Sequence, residues 1–347
     1  MNPYDNYHKD GERPGPAPAA DPSPRPSRRP SPRSDFGGQG TRTFGEKQGC
    51  KGGDSIPIQG IPIPSAARPA SARSSRLTRT QLEQIEAHLT ARDHAVLQSL
   101  RRYRFLSSSQ IGRLYVTDCR TVTSRTRQQN LLLKRLSGYG LIRALAQRVG
   151  GEGGGSSRKI WYLTEAGCRL LTLNDPGANP RQRFSEPSTA LLRHTLACSE
   201  CAVQMTCICR ESEDLELMQV DSEPACWRCY RDAEGRLNYL KPDLFAITSC
   251  GEYEEHWFIE MDLGTEAPMD VVEKCDAYLR YYYTNIEQKE TDLFPLVVWV
   301  AIDQKRKDLL QGYIEEHIQG HPKMFLVITP DELEKALREE IDSKELL

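Results

Sequence analysis

The chain has 347 residues, with 46 Lys+Arg against 48 Asp+Glu and a formal charge of −2. That length exceeds what one hydrophobic core usually organises, and no apolar run is long enough to cross a bilayer, so two folded domains plus a tail are expected and no membrane partner is. The near-neutral total hides an asymmetry: residues 1–75 hold 11 basic and 7 acidic residues (+4), 76–175 hold 17 and 7 (+10), and 176–347 hold 18 and 34 (−16). A strongly basic segment beside a strongly acidic one reads as a polyanion-binding module next to a domain with another task.

Residues 1–75 are rich in Pro, Gly, Ser and Arg and poor in large apolar residues. Such a composition cannot offset its ordering entropy, so this tail is expected to be disordered. The N-terminus lacks the pattern of a secretory signal, which predicts a cytoplasmic protein whose eleven cysteines stay reduced.

In residues 76–175, Ala95, Val96, Leu97, Leu100 and Tyr103 recur at helical spacing. Ser107 to Gln110 then reads as the cap of a short second helix through Ile111, Leu114 and Tyr115. A third helix is predicted from Thr123 to the Gly138-Tyr139-Gly140 stop. Two strand-like runs, Leu141 to Leu145 and Arg158 to Leu163, flank the Gly-rich stretch 150–155, and Thr164-Glu165-Ala166-Gly167 caps a further helix. Helix, helix, helix, hairpin, helix is the order of a winged helix-turn-helix, and the Leu-Thr-x-x-Gly phrase after the hairpin resembles bacterial proteins of that type. The third helix is the expected recognition element for double-stranded DNA. It carries Arg125, Arg127, Lys134 and Arg135 for phosphates, with Gln128 and Asn130 as amides able to read base edges. Arg148, Arg158 and Lys159 are expected at the wing.

After a linker over 176–188, residues 189–340 alternate helix and strand. A helix from Thr189 to Arg210 is followed by strands at Leu215–Val220, Tyr239–Ile247 and His256–Leu263. Then come a helix at Met269–Ile286, a strand at Leu296–Ile302, a helix at Lys305–Ile318, a strand at Met324–Ile328 and a helix from Pro330. The nearly continuous apolar run at 296–302 suits a strand buried on both faces. Overall the fold class is α/β (α+β over the whole chain).

Asp243 follows Lys241-Pro242, and Glu260 and Asp262 stand two apart on a predicted strand, so they share a face. Three carboxylates are a candidate Mg²⁺ set and a candidate catalytic site for phosphodiester cleavage. Together with the element order, the Pro-Asp…Glu-x-x phrase resembles the PD-(D/E)XK, restriction-endonuclease-like superfamily. Asp262 stands where that superfamily has Lys; Lys274, or Arg280, on the next helix is the candidate replacement cation. From about Thr90 to Leu337 the chain further resembles the replication-relaxation family of plasmids and integrative elements. That resemblance is carried by Thr90-Ala91-Arg92-Asp93, the Leu133 to Leu141 segment, Trp161 to Gly167, Arg193-His194, Pro242-Asp243 and Glu260 to Glu266. It implies a part in replication, relaxation or mobilisation of the element's DNA, with metal-dependent nicking as one mode. A non-catalytic winged-helix regulator whose acidic domain forms a homodimer stays open beside it.

Two further motifs carry metal or nucleophile chemistry. Cys198-x-x-Cys201 and Cys226-x-x-Cys229 form a structural Zn²⁺ pattern on paper, although the first pair lies in a predicted helix where Cys serves as a small core residue. Tyr281, Tyr282 and Tyr283 are consecutive on a helix and face different ways, so packing is the better account of them than attack on DNA phosphate.

Overall fold

The computed structural model describes residues 76–146, 159–173 and 185–338 (other than 233, 252, 292 and 320), with Arg29–Pro30 as a strand. Of the tail expected to be disordered, that strand, β1, is the described part; it pairs antiparallel with Glu254 and Tyr253.

The basic half opens on a helix that sequence reading missed, α1 (Arg79–Glu86), capped by Thr78. It continues with α2 (Ala91–Tyr103), β2 (Phe105–Ser107), α3 (Ser108–Tyr115), α4 (Val122–Gly138), β3 (Ile142–Ala144), β4 (Ile160–Leu163) and α5 (Glu165–Leu171). Each helix start has a local cause. Thr90 and Ser107 form capping boxes with Asp93 and Gln110, and Thr121 and Thr164 accept from the amides of Ser124 and Gly167. The strands form a small antiparallel sheet ordered β2-β4-β3, so the three helices that the periodicities predict, here α2 to α4 behind α1, are followed by a hairpin and then α5. The hairpin tip lies outside the described residues, and Arg148 and Arg158 with it.

The Leu-Thr-x-x-Gly phrase has a packing reason. Thr164 donates to the carbonyls of Gly140 and Leu141 while capping α5. Gly167 then passes so close that a Cβ would stand 2.4 Å from the Leu141 carbonyl oxygen and 2.5 Å from Leu163 Cδ1. Because one obstacle is backbone, Gly167→Ala is expected to cost about 2 kcal/mol by overpacking, read as a lower denaturation midpoint with an unchanged denaturant slope.

The acidic half is built from α6 (Thr189–Glu211), β5 (Leu215–Ser222), β6 (Arg228–Arg231), β7 (Leu237–Leu240), β8 (Leu244–Cys250), β9 (Tyr253–Asp262), α7 (Pro268–Tyr282), α8 (Ile286–Thr291), β10 (Leu296–Ala301), α9 (Gln304–His317), β11 (Phe325–Ile328) and α10 (Leu333–Arg338). Its main sheet runs β11-β10-β9-β8-β5. β9, β10 and β11 are parallel, whereas β8 is antiparallel to β9 and β5 to β8. β10 is buried through its last five residues, as its apolar run predicts. Alternate residues face alternate sides: Leu244, Ala246, Ile259, Val298 and Val300 join α6 and α10, whereas Phe245, Phe258, Val297, Trp299 and Val327 join α7 and α9. The result is a three-layer sandwich with helices on both faces. Among the described residues no helix is long and apolar enough to cross a membrane.

Two expected boundaries are corrected. The single strand expected over Tyr239–Ile247 is two, because Lys241-Pro242-Asp243 turns the chain between β7, which pairs with the unforeseen β6, and β8, which joins the main sheet. The expected helix to Ile286 ends at Tyr282, and α8 follows after Asn285, whose φ is 54°.

α6 serves both halves. Ser199 Oγ donates to the Phe105 carbonyl, Gln110 donates to Glu200 and the Leu196 carbonyl, Arg113 pairs with Glu200, and Arg210 donates to the Arg113 and Leu114 carbonyls. One apolar cluster accordingly runs from Leu97, Leu133 and Leu136 through Cys201, Ala202 and Met205 to Ile259 and Val298.

Candidate functional site

Two groups of side chains stand out. The first is on α4. At 3.6 residues per turn, Leu132, Leu133 and Leu136 face the core, and Arg127, Asn130, Leu131 and Lys134 occupy the opposite, exposed side. Leu131 is 59 % exposed and Val122, at the helix start, 78 %. Arg125 stands in the first turns and Gln128 on the flank, both exposed. Lys159 is exposed immediately before β4, and its carbonyl accepts from the Ser108 amide at 2.9 Å.

Arg135 is differently employed. Its Nη2 lies 2.6 Å from Oδ1 of Asp93, which is fully buried and whose other oxygen accepts from the Thr90 amide and hydroxyl. Burial alone would raise the Asp93 carboxyl, but Arg135 and Thr90 hold it below its ordinary value. One carboxylate thus caps α2 and fastens α4 to it. Arg135→Ala strands a buried charge, so a loss of about 2 kcal/mol in unfolding free energy is expected. Asp93→Asn should be the milder change; equal stability of Arg135→Ala and wild type would show the pair to be idle.

The second group gathers at the end of β9. Asp243, 7 % exposed, is pinned by its Oδ2 accepting from the Met261 amide at 2.8 Å, while Oδ1 meets His194 Nε2 of α6 at 3.0 Å. Glu260 is fully buried; Oε2 accepts from Lys274 Nζ at 2.7 Å and Oε1 from the Tyr278 hydroxyl at 2.5 Å, both from α7. Asp262 turns instead to Arg306 of α9, whose Nε is 2.7 Å from Oδ2, while Oδ1 accepts from the Gly264 amide at 2.6 Å. Asp243, Glu260 and Lys274 therefore interact, and Asp262 belongs to a separate ion pair. Arg280, the other candidate cation, is exposed on α7.

Electrostatics divides the two central carboxyls. Burial pushes Glu260 up to about 8, the Asp243 charge adding to it and Lys274 opposing. Asp243 feels burial too, but the His194 hydrogen bond and the Lys274 charge outweigh it and hold its carboxyl low. Hydrogen bonding to Asp243 raises His194 against the effect of burial, and Lys274 keeps its proton because Glu260 and Asp243 outweigh burial.

A Mg²⁺ ion needs a near-octahedral set of oxygens. The expected set of Asp243, Glu260 and Asp262 does not fit one, since their oxygens are not gathered into one shell and are taken up by Lys274, Tyr278, Arg306 and backbone amides. The four thiols of the zinc pattern are also dispersed: Cys229 is exposed on β6, and Cys226 donates to the Pro242 carbonyl at 3.0 Å. Among the described residues, one group of three metal-ligating side chains does converge, His194, Cys198 and Asp243, with ligand atoms all within 4.8 Å of one another. Of the tyrosines, Tyr281 is buried and donates to Glu287, while Tyr283 is 64 % exposed.

Tyr278 and Arg306 are the partners that sequence reading did not assign, whereas the position of His194 in the first turns of its helix allows it to orient a carboxylate or a phosphate, and it meets Asp243. Nothing local marks Arg306, 44 residues beyond its carboxylate. His194 carried a signal, as part of the Arg193-His194 pair.

Comparison with known proteins adds one match. A family model described as Replication-relaxation matches residues 97–297, from α2 into β10. No curated protein and no solved structure matches the chain.

Proposed function

The chain belongs to the replication-relaxation family, and from that premise we propose that it handles the DNA of a plasmid or integrative element during replication or mobilisation, gripping duplex DNA through a winged helix-turn-helix. The observation that carries this reading is the outward face of α4, where Arg127, Asn130 and Lys134 surround exposed Leu131 on a helix whose opposite face is core. Cations that neutralise phosphates, an amide that can pair with a base edge and an apolar side chain suited to a thymine methyl are the components of major-groove readout. Lys159 at the adjoining hairpin lies toward a flanking phosphate in this arrangement. The test is fluorescence anisotropy of labelled duplex DNA with the full chain over a salt series. A linear fall of log affinity with log salt is expected; no binding at low salt would refute the assignment.

For the acidic half, the PD-(D/E)XK-like order of elements supports descent from a nuclease scaffold, and the internally paired carboxylates favour a scaffold kept for binding. Supercoiled plasmid incubated with Mg²⁺ or Mn²⁺ is then expected to stay supercoiled. Nicking by wild type that is lost in both Asp243→Ala and Glu260→Ala would replace this reading with a catalytic one.

A further inference from the structure

We propose that His194, Cys198 and Asp243 form a mononuclear site for Zn²⁺, distinct from both metal sets that the sequence suggests and independent of the DNA-binding reading. His194 and Cys198 are one turn apart on α6, so imidazole and thiol project from one face. Asp243 comes from the turn between β7 and β8, and its carboxylate reaches the same point. The pairwise spread of at most 4.8 Å, with His194 Nε2 already 3.0 Å from Asp243 Oδ1, needs only a small contraction to reach tetrahedral bonds of about 2.0–2.3 Å.

Ligand chemistry selects the metal. A thiolate and an imidazole beside one carboxylate suit a borderline-soft cation and not Mg²⁺. The carboxylate is also held as metal ligands usually are: Met261 N–H fixes Asp243 Oδ2, leaving Oδ1 directed at the cluster. The site has a way in, because the His194 side chain is 37 % exposed. Three protein ligands leave the fourth position to water.

Zn²⁺ uptake forms the Zn–S, Zn–N and Zn–O bonds and releases the thiol proton, together with the second imidazole proton wherever His194 is charged. Once filled, the site would clamp α6, the helix shared by both halves, to the end of β9.

The test uses the full-length protein, with metal content of the purified chain, Zn²⁺ titration against a chromogenic chelator, and Co²⁺ substitution read by absorption. One equivalent of Zn²⁺ per chain is expected, and a tetrahedral Co²⁺ spectrum with a charge-transfer band from a single thiolate. Cys198→Ser should abolish that band, and Cys198→Ser, His194→Gln and Asp243→Asn should each weaken Zn²⁺ binding at least tenfold. Cys201→Ser and Cys229→Ser should change neither readout. Absence of stoichiometric Zn²⁺ binding by wild type would overturn the proposal, as would a Co²⁺ spectrum of several thiolates or loss of metal in Cys229→Ser. Should Cys198→Ser fail to fold, the wild-type Co²⁺ spectrum decides, since one thiolate band supports the site and none or several refutes it.

Discussion

Replacing Arg125, Arg127 and Lys134 together by Ala is expected to weaken duplex DNA binding about a hundredfold at about 0.15 M salt, and to lower the slope of log affinity against log salt by about 2.7. Both figures follow from counterion release: each phosphate neutralised contributes about 0.9 to the slope, and the affinity loss is that slope acting over the distance to 1 M salt. The choice of side chains comes from the structure. All three are exposed on α4, whereas Arg135, which sequence alone groups with them, holds buried Asp93. Including Arg135 would confuse lost contacts with lost stability. Lys305→Ala, an exposed cation on α9, is the control and should leave both readouts unchanged. Asn130→Ala should act differently, reducing the preference among sequences more than the salt slope, because an amide carries no charge to release an ion. A triple variant with wild-type affinity and slope, and an unchanged circular dichroism spectrum, would remove α4 from the interface.

What was legible in the sequence is what local periodicity encodes. The three helices and hairpin of the basic half follow from apolar spacing and from caps that each use a Ser or Thr. β10 announces itself because Leu296–Ala301 has no polar residue. β6 escaped because Arg228-Cys229-Tyr230-Arg231 is short, mixed in character and stabilised by its partner β7 more than by a buried face. Fusing β7 with β8 overlooked Pro242, which lacks the N–H a central strand needs. The candidate site was legible in its carboxylates and in Lys274, whose four-residue spacing to Tyr278 puts both donors on the side of α7 that meets Glu260. It was not legible in its pairing. Whether Asp262 turns toward a shared ion or toward Arg306 depends on where α9 packs, a contact between elements that no periodicity reports. His194 with Asp243, 49 residues apart, is the same case.

The buried acid at the centre of that site makes stability depend on pH, with a sign opposite to that of an ordinary carboxylate salt bridge. Glu260 is raised from 4.5 to about 8, so over that window the folded chain keeps a proton that the unfolded chain has released. Stability therefore falls as pH rises, by at most about 1.4 kcal/mol per pH unit. His194 acts in the same direction: its folded value is raised above 6.5, so its contribution is complete below that and lost as pH climbs through the folded value. Asp243 is held low, and its contribution fades only under acid conditions, as pH falls below the ordinary value of 3.8. Glu260→Gln copies the neutral acid, with a carbonyl to accept from Lys274 and an amide to donate to the Tyr278 oxygen. Thermal melts of the wild-type protein stripped of metal by a chelator, from about pH 5 to about pH 8, should show a falling midpoint, and the Gln variant treated in the same way should show a shallower fall whose remainder reports His194. The two curves should converge toward pH 5, with the variant more stable at pH 8. Parallel curves would mean that Glu260 is already ionised at neutral pH, with its charge answered in full by Lys274, and would remove the neutral acid from the account of this site.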